Sequence, residues 1–159
     1  NWISVLETSY IIFKLQPYSR NFNKRIIKAP KIHFYDTGIV CSLLGILDVV
    51  QLKTHPLIGS IFETFVVSEH IKKNYNQSGQ KSFLYYRERS GKEVDMIIED
   101  GIKLTAVEIK YGKTIQSRFF DNLNYLQKTL EPNINLNLVY GGNENQNRLG
   151  INIISWKDL

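Results

Sequence analysis

The sequence predicts an α/β fold in which a mixed central sheet is flanked by helices on both faces. Two segments with apolar residues at helical spacing, 57–76 and 115–130, are long enough to cover a sheet. Between them, the two runs 93–99 and 102–110 read as strands that carry apolar side chains on both faces. Strands of this kind need a helical layer on each side of the sheet.

Length and composition fit one globular domain with a small appendage. The chain has 159 residues, of which 43% are hydrophobic and 22% charged, and no apolar run approaches the ~20 residues that a membrane span requires. The single cysteine, Cys41, excludes an internal disulfide, so we expect a reducing, cytoplasmic location. No signal peptide is evident. Because the chain begins with Asn1 and its first residues already look helical, we expect a fragment of a longer protein.

The segment before residue 56 is predicted to be an appendage with the order of the latter half of a winged helix. In that order a helix and a strand are followed by a basic loop and a return strand. We therefore divide the chain into residues 1–55, a winged-helix-like remnant with a linker, and residues 56–159, the main domain. The elements predicted in the appendage are a helix end over 1–9, strands over 10–15 and 31–35, a helix over 37–44 capped by Asp36 and stopped by Gly45, and a polar connection over 46–56.

The loop between the two appendage strands is strongly basic. Five Lys and Arg residues and no acidic residue occur from residue 20 to residue 31, within a chain of net charge +5. Such a patch attracts polyanions, above all nucleic acid, through the release of counterions. A solvated loop face is the alternative interpretation. The candidate nucleic-acid contacts of this loop are Arg20, Lys24, Arg25 and Lys28.

The main domain is predicted to have the order αβββαββ. Its first helix carries Glu63 beside the apolar stripe; a lone helical glutamate is usually solvated, and Glu69 is an equal candidate. Arg87 and Tyr85 end the first strand, where they either line an approach to DNA or pack at a sheet edge. The predicted elements are helices over 57–76 and 115–130 and strands over 82–87, 93–99, 102–110, 136–140 and 150–155.

An Asp-Gly pair, Asp100-Gly101, predicts a tight type I′ hairpin between the second and third strands. If these two residues form the loop, Asp95 lies opposite Ala106. Side chains alternate along a strand, so Glu108 and Lys110 share the face of Asp95. On the same reasoning Ile97 accompanies Asp95, whereas Val94, Met96 and Ile98 point to the other side. Glu108 then becomes the diagonal neighbour of Asp95, with about 7–8 Å between their Cα atoms.

Two carboxylates and a lysine in this arrangement suit phosphodiester hydrolysis. Mg²⁺ prefers oxygen ligands and keeps several waters, so Asp95 and Glu108, with the carbonyl of Ile109, would hold it. Lys110 would orient the attacking water or stabilise the charge that develops on phosphate oxygens. The alternative is an ordinary cross-strand salt bridge on an exposed face. Half-buried acids argue against that alternative, because apolar neighbours share their face.

The motifs resemble a broad superfamily and also a narrower family. Glu63 on a helix, Asp95 on the second strand and Glu108-Ile109-Lys110 on the third are similar to the PD-(D/E)xK nuclease superfamily, with its restriction-endonuclease-like αβββαβ core. Val94 stands where that superfamily's name has Pro. Longer segments resemble the uncharacterised carboxy-terminal domain of bacterial and archaeal AAA+ type ATPases. They are Lys31-Ile32-His33-Phe34-Tyr35-Asp36-Thr37-Gly38, His55-Pro56-Leu57, Phe62-Glu63 and Ser155-Trp156-Lys157-Asp158-Leu159.

The resemblance implies a catalytic set of Glu63, Asp95, Glu108 and Lys110, with the three acids as ligands of Mg²⁺ or Mn²⁺. It also implies that an ATPase portion of the same protein precedes this region. No G-x-x-x-x-G-K-[ST] motif occurs in the sequence, so no nucleotide site is expected in this fragment. The expected partners are DNA and the ATPase portion, without a membrane, and nothing in the sequence indicates the oligomeric state.

Two functions follow from these expectations. The first is a Mg²⁺-dependent DNA endonuclease or resolvase-like domain, that is, a metal-dependent phosphodiesterase attached to an ATPase. The alternative is a catalytically silent module of nuclease fold that binds DNA or protein and is coupled to the ATPase. A pure oligomerisation scaffold is a third reading, which no feature of the sequence favours.

Overall fold

The computed structural model describes residues 1–19, 29–77 and 79–159. In chain order the elements of these residues are α1 Trp2–Thr8, β1 Ile12–Pro17, β2 Lys31–Phe34, α2 Thr37–Leu43, α3 Val49–Thr54, α4 Ile58–Asn76, β3 Ser82–Arg87, β4 Glu93–Asp100, β5 Lys103–Lys110, α5 Asp121–Thr129, β6 Asn135–Tyr140, β7 Gln146–Arg148 and β8 Ile151–Ser155, with short 3₁₀ helices at Ser117–Phe120 and Trp156–Asp158. None of the helices described is long and apolar enough to cross a membrane.

The strands form one mixed sheet in the order β2-β1-β3-β4-β5-β6-β8-β7. Strands β5, β6 and β8 run parallel to one another, and β3, β4 and β5 form an antiparallel meander. The predicted mixed α/β fold is therefore confirmed. Strands β1 and β2 pair antiparallel, as expected of the appendage, and β1 also runs parallel beside β3. The sheet thus includes strands from both sides of residue 55, while the division into two domains stays a prediction.

Local signals explain most helix ends. The carboxylate of Asp36 accepts a hydrogen bond from the Gly38 amide at 2.6 Å and caps α2, and Gly45 follows it with a φ of +71°. The segment 46–56, expected to be a polar connection, contains α3, because Asp48 caps the amides of Val50 and Gln51. The helix predicted over 115–130 is shorter than expected and begins with a 3₁₀ turn.

Helices cover both faces of the sheet. On one face α4 packs its buried side chains Phe62, Val66, Val67 and Ile71 against Met96, Val107, Ile109 and Val139. On the other face α5 and the preceding 3₁₀ turn pack Phe119, Phe120, Leu123 and Leu126 against Ile97, Ala106, Leu136 and Leu138. Apolar side chains on both sides of β4 and β5 therefore have the two-layer cover that their pattern predicts.

The hairpin between β4 and β5 has a different register from the one expected. Asp100 pairs with Lys103, so the two loop residues are Gly101 and Ile102 rather than Asp100 and Gly101. Gly101 has a φ of +60°, whereas Ile102 is not among the residues with positive φ, which is the requirement of a type II′ turn rather than type I′. The register moves by two residues, and Ala106 lies opposite Ile97. A shift of two does not by itself move a side chain to the other face.

A bulge in β4 overturns one further expectation. Leu84 pairs with Ile97 but Tyr86 pairs with Val94, so β4 has one more residue than β3 in this stretch. Val94 consequently packs with Ile97 in the cluster on the α5 side, not with Met96 as strict alternation predicts. The bulge contains Asp95, and bulges commonly redirect a side chain beside a functional site.

Candidate active site

Asp95, Glu108 and Lys110 meet at the ends of β4 and β5. The Lys110 Nζ atom lies 2.7 Å from Oε1 of Glu108 and 3.5 Å from Oδ2 of Asp95. The side chain of Glu108 is 4% exposed and that of Asp95 13%. Asn122 of α5 donates a hydrogen bond from Nδ2 to Oε1 of Glu108 at 3.5 Å. One ammonium group is therefore shared by two buried carboxylates.

The bulge explains the position of Asp95. The ladder between β4 and β5 extends as far as the pair Met96 and Val107. Beyond it, the backbone N–H of Ile109 donates to Oδ2 of Asp95 at 2.8 Å. A side-chain carboxylate thus takes an amide that a regular ladder would have paired with backbone, and this contact fixes Asp95 at the point where the two strands separate.

Burial dominates the electrostatics of the two acids. Burial and the neighbouring charge of Asp95 raise the pKa of Glu108 to about 7, against the opposing effect of Lys110. Burial also raises the pKa of Asp95; the Lys110 charge offsets part of the rise and the Glu63 charge adds to it. Although burial opposes it, the charges of Asp95 and Glu108 raise the pKa of Lys110, which stays an ammonium group.

The two oxygens of Glu108 differ in their contacts. Within residues 1–19, 29–77 and 79–159, Oε2 of Glu108 is buried and receives no hydrogen bond. An unsatisfied carboxylate oxygen beside a second buried carboxylate is costly unless a cation or a donor reaches it. The same stretches contain no set of three or more His, Cys, Asp or Glu side chains grouped as a metal site. The two carboxylates therefore share one ammonium group, and a buried oxygen of Glu108 receives no hydrogen bond from the described residues.

A second charged cluster surrounds Glu63. Lys31 Nζ lies 2.9 Å from Oε1 of Glu63 and 2.5 Å from Oε1 of Glu93. Arg87 binds the other oxygen of Glu93 through Nε at 2.6 Å. Although burial opposes it, Glu63 and Glu93 raise the pKa of Lys31, and the Lys31 charge in turn lowers that of Asp95. This cluster comprises Lys31, Glu63, Glu93 and Arg87, and two of its charges act on the pKa of Asp95: that of Glu63 raises it and that of Lys31 lowers it.

The structure distributes the predicted site residues between these two clusters. Asp95, Glu108 and Lys110 are in contact, while Glu63 is bound to Lys31, and the described residues contain no group of three such acids; the metal-binding roles stay predictions. Arg87 lies in the Glu63 cluster, and its role in DNA binding stays a prediction. Arg20, Lys24, Arg25 and Lys28 lie outside the described residues. Sequence reasoning missed Lys31 and Asn122 as site neighbours, because only the folded chain brings them there.

Comparison with protein-family models shows which family the chain belongs to. The family model named Domain of unknown function (DUF4143) matches residues 58–159, which include both charged clusters except for Lys31. The chain belongs to the DUF4143 family. A second model, Domain of unknown function (DUF8612), matches residues 1–49. DUF4143 is a domain found in AAA-ATPase-associated proteins, which agrees with the ATPase-linked family that the motifs resemble.

Relatives of this DUF4143 chain are longer than the chain itself. Uncharacterized proteins of Mycobacterium tuberculosis and Mycobacterium bovis are each 28% identical to it over 113 residues. These matches cover 71% of the chain and 25% of each relative, so the chain spans about a quarter of their length. A solved assembly of Thermococcus gammatolerans McrB AAA+ hexamers with bound McrC is similar at 14% identity and a TM-score of 0.41, over 62% of this chain and 27% of that one.

Proposed function

We propose that this DUF4143 chain is a divalent-metal-dependent phosphodiesterase acting on DNA, with Asp95, Glu108 and Lys110 as its catalytic group. One observation carries the proposal: two buried carboxylates share a single ammonium group, and Oε2 of Glu108 receives no hydrogen bond from any residue that the structure describes. Burial raises the pKa of both acids, and the charge of Asp95 raises that of Glu108 further. A divalent cation bound between them would relieve both effects.

The residues fit Mg²⁺ or Mn²⁺. Both ions take oxygen ligands, and Mg²⁺ usually retains several waters, so two carboxylates are enough to hold it. Asp95 and Glu108 would be those ligands, and the unpartnered oxygen of Glu108 is the feature of this structure that fits a cation. When bound, the metal would neutralise phosphate oxygens and make a bound water more acidic.

The chain's own groups have separate roles in this proposal. The Lys110 ammonium group stabilises negative charge on the phosphate oxygens as water adds to phosphorus and one P–O ester bond breaks. Glu108 would stay ionised with the metal bound, and the proton of the attacking water would pass to solvent as the departing oxygen takes one up. The Ile109 amide holds Asp95 in place through the 2.8 Å hydrogen bond. Glu63 and Lys31 tune Asp95 through charge.

Two further features support a DNA substrate and a link to an ATPase. The order α4-β3-β4-β5-α5-β6 is the αβββαβ order of the nuclease superfamily that the motifs resemble. The occurrence of DUF4143 in AAA-ATPase-associated proteins supports coupling to such an ATPase in the longer protein. The chain's net charge of +5 favours a polyanionic substrate.

Nicking of supercoiled plasmid DNA tests the proposal. The chain is incubated with Mg²⁺, with Mn²⁺ or with a chelator, and metal affinity is measured separately by calorimetry. We expect nicking with metal that is lost in Asp95→Asn, Glu108→Gln and Lys110→Met and kept in Glu144→Gln, a matched change at an exposed acid. Metal-dependent nicking that survives both Asp95→Asn and Lys110→Met would overturn the proposal.

A catalytically silent DNA- or protein-binding module is the second candidate. The observation that favours it is the set of lysine contacts: Lys110 already neutralises part of the charge of Glu108 and Asp95, and Lys31 does so for Glu63. In that case these ion pairs are structural. Steeply salt-dependent DNA binding without measurable metal binding would select this function over the first.

A further inference from the structure

A second concave site lies beyond the carboxyl ends of β5, β6 and β8. It is a cavity of about 420 Å³ between α3, α4 and the segments that follow these three parallel strands. Its volume falls in the range of about 300–1,000 Å³ that is typical of ligand sites. Open α/β sheets bind ligands at this end of their parallel strands. The cavity is lined by α4, whereas Glu108 contacts α5 on the other face.

The floor of the cavity is aromatic. Phe62 and Tyr111 meet edge to face, with ring centroids 5.7 Å apart at 68°. Phe65 and Trp156 make the same kind of contact at 6.0 Å and 71°. These contacts hold the rings in place, and Trp156 stays 36% exposed. A partly exposed indole held by Phe65, in a cavity that Tyr111 also lines, offers a ring on which a nucleobase can stack.

The rim of the cavity is basic. Lys53 of α3, Lys113 after β5 and Lys157 after β8 line it from three separate elements, and all three are exposed. Among the lining residues there is no Asp or Glu. None of the three lysines forms an ion pair with another described residue. By contrast, Lys31 and Lys110 are bound to carboxylates. The cavity therefore has uncompensated positive charge around apolar rings.

We propose that this cavity binds one base and the adjoining phosphates of single-stranded DNA. The base stacks on Trp156 and Tyr111, and the phosphates contact Lys53, Lys113 and Lys157. Aromatic rings bind every base through its π-face, and lysines bind the backbone, so binding is tolerant of sequence. Lys113 follows Lys110 by three residues along the same strand end. The inference goes beyond the proposed function because binding here needs neither metal nor cleavage.

Fluorescence of Trp156 reports directly on this cavity. The chain contains two tryptophans, and Trp2 lies 83% exposed on α1, so Trp2→Phe leaves Trp156 as the single reporter. This protein is titrated with oligodeoxythymidine of about eight nucleotides, within the usual range of site sizes, in a chelator that prevents any metal-dependent cleavage. We expect saturable quenching. An abasic oligonucleotide of equal length is expected to bind roughly 5- to 150-fold more weakly, since it lacks bases to stack.

Lysine variants locate the residues that bind phosphate. In Lys53→Gln, Lys113→Gln and Lys157→Gln, we expect weaker binding and a decrease of about 0.7 in the slope of log affinity against log salt for each phosphate that no longer binds a lysine. Lys128→Gln, at an exposed lysine of α5, is the matched control and is expected to bind like the parent. The proposal is overturned by an absence of quenching, by equal binding of the abasic strand, or by unchanged affinity in all three cavity variants. Because no divalent metal is present, these outcomes are independent of nuclease activity.

Discussion

The Nζ atom of Lys110 lies 2.7 Å from Oε1 of Glu108, two residues earlier on the same strand. The strand spacing alone places both side chains on one face of β5, but it does not bury them. Burial comes from α5, whose Asn122 also contacts Glu108. The outcome is a glutamate that is 4% exposed and still has an oxygen without a partner among the described residues. Because the pKa of such a buried acid differs between the folded and unfolded states, its protonation changes the free energy of unfolding, which can be measured.

The first prediction concerns the pH dependence of Glu108. Its pKa rises from 4.5 to about 7 on folding, so the folded state keeps a proton that the unfolded state has lost between these values. Stability due to this group is present below pH 4.5 and is lost as the pH rises to 7. Burial lowers the pKa of His33 to about 4, so this group makes the free energy of unfolding rise with pH over part of the same range. The informative quantity is therefore the difference in unfolding free energy between a Glu108 variant and the parent protein.

We expect Glu108→Gln to gain stability relative to the parent protein over this range, by at most about 1.4 kcal/mol per pH unit. Urea unfolding at pH 5, 6, 7 and 8 measures the difference. Glu144→Gln, at an exposed acid, is expected to follow the parent at every pH. Parallel curves for Glu108→Gln and the parent would show that Glu108 is ionised throughout and would contradict the prediction.

The second prediction concerns loss of the shared ammonium group. Lys110→Met keeps most of the side-chain stem but leaves Asp95 and Glu108 buried without their cation. At pH 8, above the pKa of about 7 of Glu108, the expected loss of unfolding free energy is about 3–5 kcal/mol. At pH 5 the loss is smaller, because Glu108 takes up a proton. The control is Lys128→Met, at an exposed lysine, which is expected to change the free energy of unfolding by less than about 0.5 kcal/mol. Equal losses for Lys110→Met at the two pH values would argue against charge compensation.

The third prediction compares two ion pairs that involve α4. The side chains of Lys31 and Glu63 are 16% and 23% exposed, whereas those of Lys72 and Glu69 are 43% and 37% exposed at the same distance of 2.9 Å. A double-mutant cycle of Lys31→Met and Glu63→Gln is expected to give a coupling of about 0.5–3 kcal/mol. The same cycle at Lys72 and Glu69 is expected to give about 0.3–0.5 kcal/mol. Equal couplings would mean that the Lys31 pair is no more than a surface contact.

The fold was largely predictable because its main signals are local. Apolar residues on both sides of β4 and β5 required two helical layers, and α4 and α5 provide them. The short strand β7 and helix α3 are not among the predicted elements: three residues carry little periodicity, and the six residues of α3 that follow the Asp48 cap lie in a segment that reads as a polar connection. The type of turn was wrong because glycine took the first loop position, where positive φ is required, rather than the second.

The site was predictable only in part. Asp95, Glu108 and Lys110 are in contact although the predicted register is wrong by two residues, because a shift of two does not by itself turn a side chain to the other face. The bulge that contains Asp95 had no signal in the sequence. The pairing of Lys31 with Glu63 also has no signal in the sequence, since the two residues are 32 positions apart and meet only when β2 packs against α4. The roles of all these residues in catalysis stay predictions.

The last prediction concerns the backbone that joins the candidate site to the aromatic cavity. Gly141 follows β6, and its N–H donates to the carbonyl of Lys110 at 3.1 Å. A Cβ at this position would lie 2.0 Å from the carbonyl oxygen of Tyr111. That atom belongs to backbone, so relief requires β5 and β6 to separate rather than a side chain to rotate. We therefore expect Gly141→Ala to destabilise the protein by about 3 kcal/mol or more, and to disturb Lys110 and Tyr111 together.

Gly59 provides the matched control for this change. It lies in the first turn of α4, and a Cβ there would meet no atom within 4 Å. Gly59→Ala is expected to stabilise the protein by about 0.4–1 kcal/mol, because alanine loses less conformational entropy on folding. Thermal and urea unfolding of both variants measure the contrast. If Gly141→Ala were as stable as Gly59→Ala, the close approach of residue 141 to β5 would be incorrect, and with it the geometry that links Lys110 to the cavity.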